Sequence, residues 1–433
     1  MLVRRGLAVM LFLFLGVLPP MPALSGESVC VDGGVELDLL HGEVLFYVKA
    51  NDDITSFFNV TWAVPPNYEN QAPVLIDVRN DTSASVLGWG VINDTNPPNK
   101  VLKFLISPLR KGEQVSIHFD YFVFVKNKRY EDLPDYVKIP AESELPDDTK
   151  IWLASTKAIQ SDNILIKLKA YTLRCKSDGL TELAEKIVKY TSSPKTLRLM
   201  FWYLVRLLFP GERSPWVKYL DAVSSLFFGG SCTGRANLGA ALFRANGVPA
   251  KNIIVTPVFA GKDFWFDAHY ICEYYCPDYG WVSAETTLGI TPYEPKNYII
   301  LRVNYPEDEN LAGNGNDYYG GCEPWFWTDN ANAKVWWRPR EGSGTRGWFE
   351  KEIITNPDRA NLAFNLTQNV YELHVRCMGM NLSGEDLLHF SSAISAQKNA
   401  IECFKQSDIT GYLNNMTIAY NEYREIVMLS DNS

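Results

Sequence analysis

Histidine is scarce in this chain, with five residues in 433. Chemistry that needs an imidazole as base therefore has few places to occur. Long apolar runs are scarcer still. Residues 7–18 form one, shorter than a membrane-spanning helix requires, and no second run follows. Positive charge does not accumulate either. The net charge is −9, spread without a block, which argues against nucleic acid as a partner. Metal-binding patterns are missing too. Cys272 and Cys276 lack a second Cys or His pair at zinc spacing. Asp308, Glu309, Asn310, Asn314, Asn316 and Asp317 offer oxygen ligands of the kind calcium takes, but they meet no calcium-loop motif. No cofactor is expected, and calcium is the one candidate the residues leave open.

The chain opens with Arg4 and Arg5, the apolar run, and Ala23-Leu24-Ser25. That order predicts a cleaved export signal over residues 1–25. No lipidation signal precedes Cys30, so nothing else is expected to hold the chain in a membrane. Six N-x-S/T sequons, at Asn59, Asn80, Asn93, Asn365, Asn381 and Asn415, fit an exported glycoprotein, secreted or at the cell surface. Export permits disulfides among the eight cysteines. One from Cys272 or Cys276 to Cys322 is expected.

Composition and pattern predict an α+β chain. Residues 26–148 read as an antiparallel β-sandwich, from the β-branched and aromatic runs 42–48, 57–64 and 115–124. His41 and His118 lie there with no nucleophile nearby in sequence and read as structural. Pro134, Pro140 and Pro146 with their acidic neighbours mark a boundary. Residues 149–303 read as the core domain. Within it, Leu180, Leu183, Ala184 and Ile187 share one helix face, and residues 197–208 form a second, nearly all-apolar helix. Residues 304–350 read as an irregular segment holding Trp325, Trp327, Trp336, Trp337 and Trp348. These tryptophans either line a groove for a peptide or glycan or pin a long loop to the core, and the loop's length favours packing. Residues 351–433 read as helical. Ser383 and Asp386 resemble a capping box, and Ala393, Ala396, Ala400 and Phe404 form one stripe while Tyr412, Met416, Ala419 and Tyr423 form another. His374 and His389 on these helices read as packing residues.

The informative stretch is 229–251. Gly229 and Gly230 allow a tight backbone approach, Ala236, Ala240, Ala241, Leu242 and Ala245 favour a helix with one buried face, and Gly247 and Pro249 stop it. Arg244 sits in the last turn, where the helix dipole favours a cation. Cys232 is thereby placed at a helix N-terminus, where unpaired amides stabilise a thiolate. His269 opens an aromatic strand, residues 276–280 read as a turn, and a second strand from Trp281 leads to Glu285. The hairpin brings His269 and Glu285 onto adjacent strands. Nucleophile, base and orienting carboxylate then follow in chain order.

These residues resemble the transglutaminase-like superfamily of cysteine enzymes. The resemblance rests on Gly230, Cys232, Ala236, Leu238, Arg244, Gly247, Val248, Pro249, Ala250, Lys251, His269, Glu273, Trp281, Glu285 and Thr287. It implies a papain-like α+β core and amide hydrolysis or acyl transfer to an amine through a thioester, on a protein or peptide substrate. Cys232, His269 and Glu285 would be catalytic, with the Cys232 amide at the oxyanion. A tryptophan plays that part in animal transglutaminases, which points to Trp202 or Trp216, although a packing role suits either. The chain departs from the family in having Glu285 for Asp, Thr286 for Pro and Ile271 for Trp. Glu285 and Ile271 favour the rival reading, a binding or scaffold protein, with a cell-surface glycan or protein as partner, on the same fold. Retention of Cys232 and His269 opposes it.

Overall fold

The computed structural model describes residues 35–127, 130, 133–193, 220–258, 268–310, 325–336, 344–354 and 356–431. The expected signal segment, the helix over 197–208, Trp202, Trp216, Trp337, Cys30, Cys322, Asn314, Asn316 and Asp317 lie outside them. The fold is α+β, with an N-terminal antiparallel sheet region, a core of helices packed on a four-stranded antiparallel sheet, and C-terminal helices.

Six strands come first: β1 (Val35–Ala50), β2 (Phe58–Val64), β3 (Gln71–Val78), β4 (Val86–Asn93), β5 (Lys100–Ile106) and β6 (Gln114–Lys126). Alternation along β1 sends Val44, Phe46 and Val48 between two sheets and Leu37 and Leu39 to the outer face. Phe46 stacks on Trp62 of β2 at 4.3 Å between ring centroids. Gly42 is required here, because a Cβ on it would fall 2.0 Å from the Tyr121 ring. Tyr121 in turn hydrogen-bonds Thr256 of the core at 2.9 Å, tying the sandwich to it.

The tryptophan-rich segment is not the irregular loop its composition suggests. It holds strands β11 (Phe326–Thr328), β12 (Ala333–Trp336) and the start of β13 (Gly344–Ile354). β12 and β13 both pair with β1, giving the sheet β12–β1–β6–β3 with β13 along β1, and β11 pairs with β2, giving β11–β2–β5–β4. Trp325 is buried against Trp62 at 4.6 Å, and Trp336 lies against Tyr47 at 5.2 Å, so these two pack the sandwich.

The core contains helices α1 (Ile164–Arg174), α2 (Leu180–Ser192), α3 (Ala222–Phe228) and α4 (Cys232–Arg244), then β7 (Ala250–Pro257), β8 (His269–Cys276), β9 (Gly280–Ala284) and β10 (Tyr298–Val303), with the short α5 (Pro306–Asn310). The strands form the antiparallel sheet β10–β7–β8–β9. The expected face of α2 is buried, and so are Ala236 and every following residue of α4. α4 is thus a central helix, enclosed on all sides rather than on one.

Three helices end the chain: α6 (Pro357–Met378), α7 (Glu385–Lys405) and α8 (Ile409–Asp431). Both predicted stripes are buried, and they cover Leu37, Leu39, Leu75 and Phe124 on the outer face of the first sheet. Ser383 does not form the expected capping box. Gly384 is the N-cap of α7, and Ser383 accepts the Asp386 amide through its backbone carbonyl.

Cys175, Cys232, Cys272, Cys377 and Cys403 carry free thiols. No disulfide joins described cysteines, and Cys322, the expected partner of Cys272 or Cys276, lies outside the described residues.

Candidate active site

Cys232 is the first residue of α4. Gly229, at φ 62°, ends α3, and Ser231 is the N-cap without a side-chain capping bond. The first helical hydrogen bond runs from the Arg235 amide to the Ser231 carbonyl. The amides of Cys232, Thr233 and Gly234 therefore have no helical carbonyl to bond, and the positive end of the helix dipole lies at the thiol.

β8 and β9 form the predicted hairpin, with Cys276 opposite Gly280 and left-handed backbone at Asp278 and Gly280. His269 opens β8, and Glu285 follows β9. Their side chains meet, with His269 Nε2 2.5 Å from Glu285 Oε2. Glu285 Oε1 accepts the Thr287 amide at 2.7 Å. The imidazole is also hydrogen-bonded to the Cys232 side chain. The three residues proposed from sequence are therefore in one chain of contacts.

Electrostatics follow from that geometry. Burial alone would raise the Cys232 thiol, but the bond to His269, the charge of that ring and the Tyr270 amide draw it below an ordinary thiol. Burial alone would lower His269. The Glu285 carboxylate and the Cys232 and Glu285 hydrogen bonds override this and push it up to about 10. Thiolate and imidazolium stabilise each other as an ion pair, the form in which sulfur is nucleophilic.

Several supporting contacts carry no local sequence signal. Gly239 of α4 lets the helix approach the Glu285 loop, since a Cβ there would lie 2.8 Å from Thr286 Cγ2. Arg235 donates to the carbonyls of Gly230, Ser192 and Thr287, bridging the loop before Cys232 and the loop after Glu285. On the sheet, Lys251 of β7, Glu273 of β8 and Ser283 of β9 stand opposite one another in register. Lys251 lies 3.4 Å from Glu273, which also accepts from Ser283 at 3.1 Å and from Tyr68 at 2.7 Å. This buried polar row resists a register slip that would carry His269 away from Cys232. Arg244 does more than complement the helix dipole. It forms a fully buried ion pair with Glu309 at 2.7 Å.

The remaining sequence candidates fall elsewhere. Glu309 pairs with Arg244 and Asp308 with Arg302. Of the oxyanion candidates, Cys232 is the first residue of α4, and Trp202 lies outside the described residues. His41 bonds Asp120 and His118 bonds Glu43 and Asp81 on the sandwich, while His374 bonds Tyr423 and His389 bonds Glu422 among the C-terminal helices. Ile271, where the resemblance leads one to expect Trp, is buried among Ile253, Val255 and Ile300.

Comparison with known proteins gives the following. No curated protein matches the chain. Among solved structures, a candidate cysteine protease from Cytophaga hutchinsonii aligns with a TM-score of 0.45 and 14% identity, over 74% of this chain and 90% of that one. A candidate protease from Parabacteroides distasonis ATCC 8503 aligns with a TM-score of 0.20 and 12% identity, over 55% of this chain and 42% of that one. The model of the transglutaminase-like superfamily matches residues 183–286, the span that holds Cys232, His269 and Glu285. Over those residues the chain is similar to the transglutaminase-like superfamily.

Proposed function

We propose that the chain is an exported cysteine enzyme that cleaves amide bonds of a protein or peptide substrate through a thioester. The observation that carries this reading is the contact chain from Cys232 through His269 to Glu285 at the N-terminus of α4. The Cys232 thiolate attacks the amide carbonyl, forming a C–S bond. The Cys232 amide donates to the oxygen that takes up the charge. The imidazolium of His269 gives its proton to the departing amine as the C–N bond breaks, leaving a thioester and a neutral ring. That ring takes a proton from water, the hydroxide attacks the thioester, and the thiolate leaves. An amine in place of water gives acyl transfer by the same steps. Hydrolysis is the favoured outcome, because nothing in the chain resembles the full animal cross-linking enzyme. Glu285 holds the ring oriented and stabilises its cation.

Export rests on the N-terminal sequence pattern, and four of the sequon asparagines, Asn80, Asn93, Asn365 and Asn381, are exposed. The test is incubation of the purified protein with a mixed peptide library, with and without added primary amine. New peptide termini that vanish with Cys232→Ser support hydrolysis, and amine-adducted products support transfer. No turnover together with a Cys232 no more reactive than Cys175 contradicts the enzyme reading and leaves the scaffold.

A further inference from the structure

None of the described helices is long and apolar enough to cross a bilayer. α1 nevertheless presents an unusual surface. Its inward side, Ile166, Ala170 and Leu173, packs in the core. At 3.6 residues per turn, Ile164, Leu168 and Tyr171 lie on the opposite side, and each is 55–66% exposed. Leu165 beside them and Cys175 one turn on are exposed too. An apolar ridge therefore points straight away from the molecule.

Its flanks are basic. Lys167 and Arg174, seven residues apart, run along one side, and Lys169 and Lys176, also seven apart, along the other. Residues 163–177 contain no carboxylate, in a chain whose net charge is −9, and Asp162 and Asp178 bracket the stretch. Lys169 rests over the Tyr190 ring at 3.8 Å and Arg174 donates to the Asn246 carbonyl. Lys167 and Lys176 are exposed.

We propose that α1 docks the protein on a bilayer carrying anionic headgroups. Ile164, Leu168 and Tyr171 enter the boundary between headgroups and acyl chains, and Lys167 and Lys176 reach headgroup phosphates from either side. The charge pattern chooses this occupant. A second copy laid on the ridge about a twofold axis would bring basic rows against basic rows. A lone convex ridge needs a groove in a protein partner but none in a fluid lipid surface. The repulsion of the acidic remainder is screened beyond ~10 Å, whereas the lysines are in contact.

The test is sedimentation of the full chain with vesicles of phosphatidylcholine alone or with about a third phosphatidylserine. Wild type and variants share the same N-terminal sequence, so the reading is the difference between them. Expected are binding to the phosphatidylserine vesicles that weakens at least tenfold in Leu168→Ser/Tyr171→Ser, and binding in Lys167→Gln/Lys176→Gln that no longer distinguishes the two vesicle types as wild type does. All four positions are exposed, and an unchanged melting temperature shows that folding is intact. Equal binding by wild type and the Leu168/Tyr171 variant overturns the proposal. So does an absence of binding to phosphatidylserine vesicles, or a lipid-free wild-type dimer that the Leu168/Tyr171 variant dissociates.

Discussion

The Glu285 carboxylate is divided between His269 and its own loop, with Oε2 at 2.5 Å from the imidazole Nε2 and Oε1 accepting the Thr287 amide at 2.7 Å. The loop is closed by backbone bonds between Glu285 and Ile290 and by Gly289 at φ 79°. A glutamate thus stands where the superfamily this chain resembles usually carries aspartate. Its extra methylene lets one carboxylate reach the ring while its other oxygen is pinned by the turn.

Glu285→Gln keeps that shape but replaces one acceptor with a donor, so one of the two contacts is lost and the wrong tautomer is favoured. Alkylation of Cys232 by a peptide-like electrophile should slow by on the order of a hundredfold or more. Glu285→Asp keeps the charge but withdraws it by a methylene, and should retain part of the rate. Equal rates for wild type and Glu285→Gln would show that the carboxylate orients nothing. A faster Glu285→Asp form would show that the natural residue detunes the site, as in a scaffold protein.

Gly239→Ala sets two effects against each other. Alanine favours the helix by ~1 kcal/mol. Its Cβ would meet the buried Thr286 methyl at 2.8 Å, and overpacking of that kind costs ~1–3 kcal/mol. Overpacking should win, lowering the melting temperature and slowing Cys232 labelling as the Glu285 loop shifts. Adding Thr286→Ser removes the methyl and should recover both. A more stable, fully reactive Gly239→Ala protein would show that the approach is not tight.

Glu309→Gln leaves Arg244 buried without its counter-charge and should destabilise the protein by ~3–5 kcal/mol in chemical denaturation. Replacing both partners, Arg244→Met with Glu309→Leu, should recover most of the loss. A single variant as stable as wild type would mean that solvent reaches the pair.

What could be read from sequence was local. The helix starting at Cys232, its stop at Gly247 and the hairpin carrying His269 and Glu285 each arise within a few residues, so period and turn chemistry reveal them. The strands β11 to β13 were not legible, because Phe326 pairs with Trp62 and Trp336 with Tyr47 across more than half the chain. Aromatic residues there looked like loop anchors when they are strand residues. Arg244 and Glu309 were each given a separate explanation, a dipole partner and a calcium ligand, because nothing in a one-dimensional pattern says that they meet.

The pKa shifts also make stability depend on pH. His269 is raised from about 6.5 unfolded to about 10 folded, so its contribution is complete below ~6.5 and is lost as pH rises through about 10. The melting-temperature advantage of wild type over His269→Ala should therefore shrink as pH is raised across that window. An advantage that grows with pH would mean that the folded ring is neutral.

The central claim is that Cys232 is a thiolate held by His269, and its alkylation rate against pH tests this most directly. The thiol lies below an ordinary one and the imidazole is held up to about 10. The rate at Cys232, located by peptide mapping, should therefore reach its plateau well below the ~8.5 of a free thiol. A single rise centred near ~8.5, as for a free thiol, would contradict the account.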